Sequence, residues 1–288
     1  MFLQLLINSL IAGAIYALVA SGFSLIYSTC KFVHFAHGAV VAFSAYIAYL
    51  LFSIWGLNFW LAVPLAIIFG AFLGWLINVL VYRPLRRKKS SSVILLIAGF
   101  ATLIILESLI LMFFGADVKT IDFIQTAEGL EFFGAIITPL QITIVVVSVI
   151  LFILLYLLMK KTRIGKAMRA VSDNTEVAEI VGISAERIHS WSFIIGSAIA
   201  GIGGILIGLE QNLEPTMGTN LVIKGFTAAI IGGIGSVPGA VLGSFLLGAA
   251  ENFGIWYLPS GYKDAIAFII LFIFLLFRPQ GILGIKKS

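Results

Sequence analysis

The sequence predicts an all-α polytopic membrane protein, a helical bundle of about eight or nine transmembrane segments, folded as a single domain over residues 1–288. Three observations carry this. The chain is 61% hydrophobic and only 11% charged, less than half the charge of an ordinary soluble domain, and so much apolar surface cannot be hidden from water. Its apolar runs are long and continuous, unlike the alternating ten-residue segments of a membrane barrel. Its basic residues are gathered between those runs.

Taken in order, 2–27, 33–53, 58–82, 92–114, 139–159, 191–210, 238–256 and 262–277 read as membrane segments, since a helix needs ~20 residues to cross a ~30 Å hydrocarbon core. The first lacks a basic leader and reads as a retained helix, not a cleaved signal peptide. The stretch 222–236 (VIKGFTAAIIGGIGS) is short and glycine-rich, and reads as a broken helix or a re-entrant segment. Counted as a crossing it makes nine segments; otherwise there are eight. Pro238 then opens the next helix, because a first turn tolerates a missing N–H; Gly232, Gly233, Gly235 and Pro238 form a structural turn.

Of 18 Lys and Arg, 14 fall in three clusters: Arg83–Lys89, the central loop (Lys160, Lys161, Arg163, Lys166, Arg169, Arg187) and the tail (Arg278, Lys286, Lys287). Short basic loops stay in the cytoplasm, which places all three clusters and the C-terminus inside. The loop 115–138, with Asp117, Asp122, Glu128 and Glu131 against Lys119, is placed outside. The net charge of +5 is therefore a topology signal, with membrane lipid headgroups as secondary partners and no nucleic acid.

Small residues recur at four-residue spacing: Ser9, Gly13, Ala17, Ser21; Gly70, Gly74; Gly196, Ala200, Gly204, Gly208; and Gly235, Gly239, Gly243, interleaved with Ala240, Ser244, Gly248. Such ridges let helix backbones approach closely in lipid. Asn8 and Asn78 are polar positions suited to bridging helices.

Residues 160–190 form an organised cytoplasmic loop. Asp173 precedes Glu176 at the capping-box interval, Gly182 supplies a left-handed stop, and Ser184 caps a helix that re-enters the membrane at Trp191. A two-turn helix is unstable alone in water, so this one needs a partner surface.

Within the spans, Glu107, Glu251 and Asn252 are candidates to line a translocation path, because ionisable groups in lipid are costly. The alternative is a paired structural carboxyl; for Glu210 and Glu251, closer to the interfaces, the structural reading leads. His34 and His37 share a helix face and serve packing and hydrogen bonding. With Cys30 the lone cysteine and His189 the remaining histidine, no metal centre, cofactor site or catalytic group can be assembled. No G-x-x-x-x-G-K-[ST] motif occurs, so ATP would have to be handled by another polypeptide.

Glu176, Val177, Ala178 and, after three residues, Gly182 resemble the E-A-A-x-x-x-G core of the coupling loop in ABC importer permeases, with Val177 departing at the second position. Four stretches are together similar to the branched-chain amino-acid ABC transporter permease family, most like its LivH-type subunit: 22–46 (GFSLIYSTCKFVHFAHGAVVAFSAY), 163–183 (RIGKAMRAVSDNTEVAEIVGI), 224–251 and 277–284 (FRPQGILG). The resemblance implies a permease domain in a bacterial inner membrane. Its partners would be a second homologous permease subunit, two cytosolic ATP-binding subunits and an extracytoplasmic solute-binding protein. It also implies that Asp173, Asn174, Glu176, Ala178 and Gly182 couple the chain to the ATPase. Leucine, isoleucine and valine lead as substrates; urea or another small amide, or a self-sufficient channel or secondary transporter, are the alternatives. A conduit that binds its solute tightly cannot release it, so no high-affinity substrate site is expected in this chain.

Overall fold

The computed structural model describes residues 2–123, 129–132 and 134–284. The expectations on Glu128, Lys286 and Lys287 therefore lie outside the described residues.

The chain opens with α1 (Phe2–Cys30). α2 (His37–Tyr49) runs on into a π-helical turn (Leu50–Ile54), and α3 (Phe59–Ile77) into a second one (Asn78–Tyr82). The short α4 (Arg83–Arg87) and α5 (Ser92–Phe114) follow. A two-stranded antiparallel hairpin, β1 (Leu130–Phe132) and β2 (Ala135–Ile137), pairs Glu131 with Ile136. α6 (Pro139–Lys161) starts on a capping box made by Thr138 and Gln141. Then come α7 (Arg163–Asp173), α8 (Thr175–Ile180), α9 (Ala185–Glu210), α10 (Met217–Gly232), α11 (Val237–Gly254) and α12 (Lys263–Phe277).

Six helical runs are long and apolar enough to cross a membrane, or up to seven with the bent pair α10–α11 taken as one span. This falls below the eight or nine counted from sequence. α10 and α12 have 16 and 15 residues, short of the ~20 a full crossing needs. α11 is diluted by glycines and by Glu251 and Asn252.

Two differences from the sequence reading bear on the fold. The segment expected to begin at residue 33 is helical only from His37. The broken stretch at 222–236 is helical as far as Gly232; the break is confined to 233–236, where the axis turns by 113°. Gly233 and Gly235, at φ +113° and +89°, supply backbone that other residues rarely adopt. Ser236 then caps α11 by accepting from the Gly239 N–H, with Pro238 in the first turn as expected. The tail seals this corner: Ile282 N–H donates to the Ile231 carbonyl at 2.9 Å and Leu283 N–H to that of Gly232 at 2.8 Å.

α1 is the axle of the bundle, packed most extensively on α11, α9 and α10. The small-residue ridges do lie at these contacts. A Cβ on Gly248 of α11 would stand 2.7 Å from the Gly13 nitrogen of α1, and one on Gly196 of α9 would stand 2.8 Å from the Gly22 carbonyl. Gly248→Val is therefore expected to cost about 1–3 kcal/mol by overpacking. Thermal unfolding of the detergent-purified protein checks this, with Gly261→Val, whose Cβ would meet open space, as the neutral control.

The bundle has two distinct ends. Arg83, Arg86 and the start of α9 meet at one, the basic end, where Glu186 pairs with both arginines. At the opposite end Lys119 and Leu213 exchange backbone hydrogen bonds, and the Gln4 side chain bonds the backbone of Ile136.

Candidate functional site

At the basic end the loop 160–190 folds into a foot. α7 begins on Thr162, whose hydroxyl accepts from the Gly165 N–H, and it turns Gly165, Met168 and Val171 inward. The sequence reading missed α7 as a separate helix; the signal was its spacing of apolar residues among basic ones. Asp173 ends α7 and does not cap α8. Asn174 does, its side chain accepting from the Val177 N–H at 3.1 Å. This corrects the capping role given to Asp173: a residue still inside one helix cannot take the extended backbone that the cap of the next requires. Gly182, at φ +87°, provides the expected left-handed stop. Ser184 occupies the N-cap position of α9 with no side-chain capping bond.

Of the five residues singled out here, Ala178 is buried against the foot, while Asp173, Asn174, Glu176 and Gly182 are exposed. Beside Glu176 the foot presents Val177, Ile180 and Val181, with Ile180 83% exposed. Sequence reasoning did not single out this apolar triad, because its outward orientation follows only from Ala178 pointing in.

The foot is braced from the side. Arg86 donates to Glu186 Oε1 at 2.8 Å and to Asn78 Oδ1 at 2.7 Å, and Asn78 donates on to Ser190 at 3.2 Å. Asn78 thus bridges helices as expected, whereas Asn8 accepts from Gln4 one turn away in its own helix. Arg86 and Glu186 are a hundred residues apart, and no local pattern pairs them; from sequence Arg86 is a topology signal alone.

His34 and His37 do not share a helix face. His34 lies in the non-helical link 31–36 and meets the Tyr82 hydroxyl through Nδ1 at 2.8 Å; His37 opens α2 and meets the Val19 carbonyl through Nε2 at 3.2 Å. Both are buried, joining α2 to the end of α3 and to α1. Among the described residues no group of three or more His, Cys, Asp and Glu could hold a metal.

Glu107, on α5, accepts a hydrogen bond from Thr219 in the first turn of α10. Asn252 bonds back to the Gly248 carbonyl of its own helix. Glu251 is wholly buried. It accepts from the Tyr16 hydroxyl at 2.7 Å and lies 3.4 Å from Lys224 Nζ, which also donates to Tyr16 at 3.1 Å and pairs with Asp264 at 3.2 Å. One lysine therefore ties α1, α10, α11 and α12 together. It lines a cavity of about 420 Å³ at the opposite end, between α1, the 211–216 segment, α10 and the start of α12. Lys224 was not singled out from sequence, since it interrupts a stretch judged too short to place.

The branched-chain amino acid transport system / permease component family matches residues 5–275. The high-affinity branched-chain amino acid transport system permease protein BraD of Pseudomonas aeruginosa is 36% identical, over 98% of this chain and 96% of its own length. LivH of Salmonella typhimurium, which carries the same description, is 33% identical over 98% and 96%. A probable branched-chain amino acid transport permease protein LivH of Methanocaldococcus jannaschii is 31% identical over 98% and 92%. The solved structure of PsaBC from Streptococcus pneumoniae in complex with Fab shares the fold, with a TM-score of 0.53 over 95% of this chain and 91% of that one, at 14% identity. With the family matched over nearly the whole chain and relatives above 30% identity along its length, this protein belongs to the branched-chain amino acid transport system permease family.

Proposed function

We propose that this chain is the membrane-spanning permease subunit of an ATP-driven ABC importer in a bacterial inner membrane, with its basic end and C-terminal tail facing the cytoplasm. It translocates branched-chain amino acids handed over by an extracytoplasmic binding protein, and works beside a second homologous permease and two cytosolic ATP-binding subunits. The observation that carries the reading is the foot. A chain with no phosphate-binding loop presents Val177 and Ile180 on a six-residue helix, and Val181 at its C-cap, and that helix packs mainly on α7 and α9. Exposed apolar residues clustered within a polar rim suit a protein partner. Asp173, Asn174, Glu176 and Gly182 border that patch, and Ala178 anchors it.

The foot is well placed to act at a distance. α9 is one unbroken helix of 26 residues, about 39 Å long at 1.5 Å per residue. Its first turn is clamped by Arg86, and its last turn borders the cavity through Ile207 and Gln211. A push on the foot would therefore reach the cavity through a rigid element.

Co-expression with the ATP-binding subunits tests this. The wild-type chain retains them through purification, and Ile180→Glu with Val181→Glu reduces the retained fraction at least about tenfold, by placing charge where apolar contact is needed. Vesicles loaded with ATP take up leucine and not urea. ATP-independent uptake by this chain alone would instead identify a self-sufficient transporter.

A further inference from the structure

We propose that the cavity at the opposite end is a low-affinity subsite for a zwitterionic α-amino acid. Lys224 takes the carboxylate, Asp264 takes the ammonium, and the wall formed by Ile15, Ile207, Met217 and Leu221 takes an apolar side chain. The proposal rests on the transport reading above and adds a place in this chain where the solute pauses.

The cavity, at about 420 Å³, falls within the ordinary range for small-molecule sites; its apolar wall faces a mainly polar lining, in which Glu214 and Lys263 stand beside Lys224 and Asp264. The two carboxylates around Lys224 are not equivalent. Glu251 has a side chain 1% exposed and a second bond from Tyr16, so it fixes the ammonium in place. Asp264 is 67% exposed, and an ion pair so open to water contributes little. A solute carboxylate can replace Asp264 on Lys224 at little net cost. The released Asp264 then stands at the rim, within reach of the solute's own ammonium. One anion leaves Lys224 as another arrives, so the exchange conserves charge and binding stays weak, as a conduit requires. The same logic excludes urea, which has no carboxylate to offer.

The test uses the assembled permease complex in lipid nanodiscs, without its binding protein, and saturation-transfer NMR with leucine, leucinamide and 4-methylpentanoate at about 10 mM. Leucine gives a signal, and each analogue, lacking one charge, gives at least about tenfold less. Lys224→Gln alone strands Glu251, so the double variant Lys224→Gln/Glu251→Gln is used; it loses the leucine signal, and Lys224→Arg keeps it. Equal signals from leucinamide and leucine, no leucine signal from the wild type, or an undiminished signal in the double variant would each overturn the proposal. ATP-driven leucine uptake by the complete wild-type system, measured separately, reports on the transport reading alone. Uptake together with a Lys224-independent signal removes the subsite and leaves that reading intact.

Discussion

Lys224→Met lowers the unfolding free energy by about 3–5 kcal/mol, and the loss is larger than for Glu251→Gln. The asymmetry follows from burial. Removing the lysine leaves Glu251, wholly enclosed, with the Tyr16 hydroxyl as its remaining hydrogen-bond donor, and a desolvated charge without a counter-ion is among the most costly defects a protein can carry. Removing the carboxylate leaves Lys224 at the wall of a cavity, still 3.2 Å from Asp264. The double change Lys224→Met/Glu251→Gln recovers most of the loss, because no buried charge is left unpaired and Asp264, mostly in solvent, loses little. Chemical denaturation of the four forms in one detergent checks this. Equal losses for the two single variants would show that Glu251 is not the dependent partner.

The second large effect is at the other end of the bundle. Glu186→Ala costs about 2–4 kcal/mol and loosens the foot, since Arg86 is only 14% exposed and keeps just its bond to Asn78. Arg83, 3.6 Å from Glu186 and 39% exposed, loses its partner too and, as a second cation, cannot pair with Arg86. Both Arg86 bonds leave one nitrogen, Nη2, so the placement of that single atom holds Asn78 and Glu186 together. Hydrogen exchange over 163–190 reports the loosening directly. The expected pattern is faster exchange in α7 and the first turn of α9, with the 9–21 stretch of α1 unchanged.

What could be read from the chain before folding was the part written in local chemistry. The apolar runs announced the helices, Gly182 announced the end of the foot, and Pro238 announced the start of α11, because each acts within a turn or two of itself. The missed features join residues far apart in sequence. Arg86 meets Glu186 and Lys224 meets Glu251 only after several helices have packed. The helix count failed for a related reason. A hydropathy window sees local polarity, whereas α10 and α12 end after 16 and 15 residues. The two histidines were placed on one face by a periodicity that does not apply to the non-helical link 31–36. Glu251 shows the limit most sharply, for the same residue can read as a structural carboxyl or as part of a path. In the folded chain it fixes the lysine that lines the cavity.

The seal on α10 has a consequence for biosynthesis. The carbonyls of Ile231 and Gly232 receive their bonds from Ile282 and Leu283, some fifty positions later. While the ribosome is still making that stretch, a helix emitted long before has its last carbonyls without these partners. Translation must therefore pass residue 283 before the α10–α11 corner can close. A frameshift or early stop ahead of residue 282 would yield a product with a frayed corner, a natural substrate for membrane quality-control proteolysis.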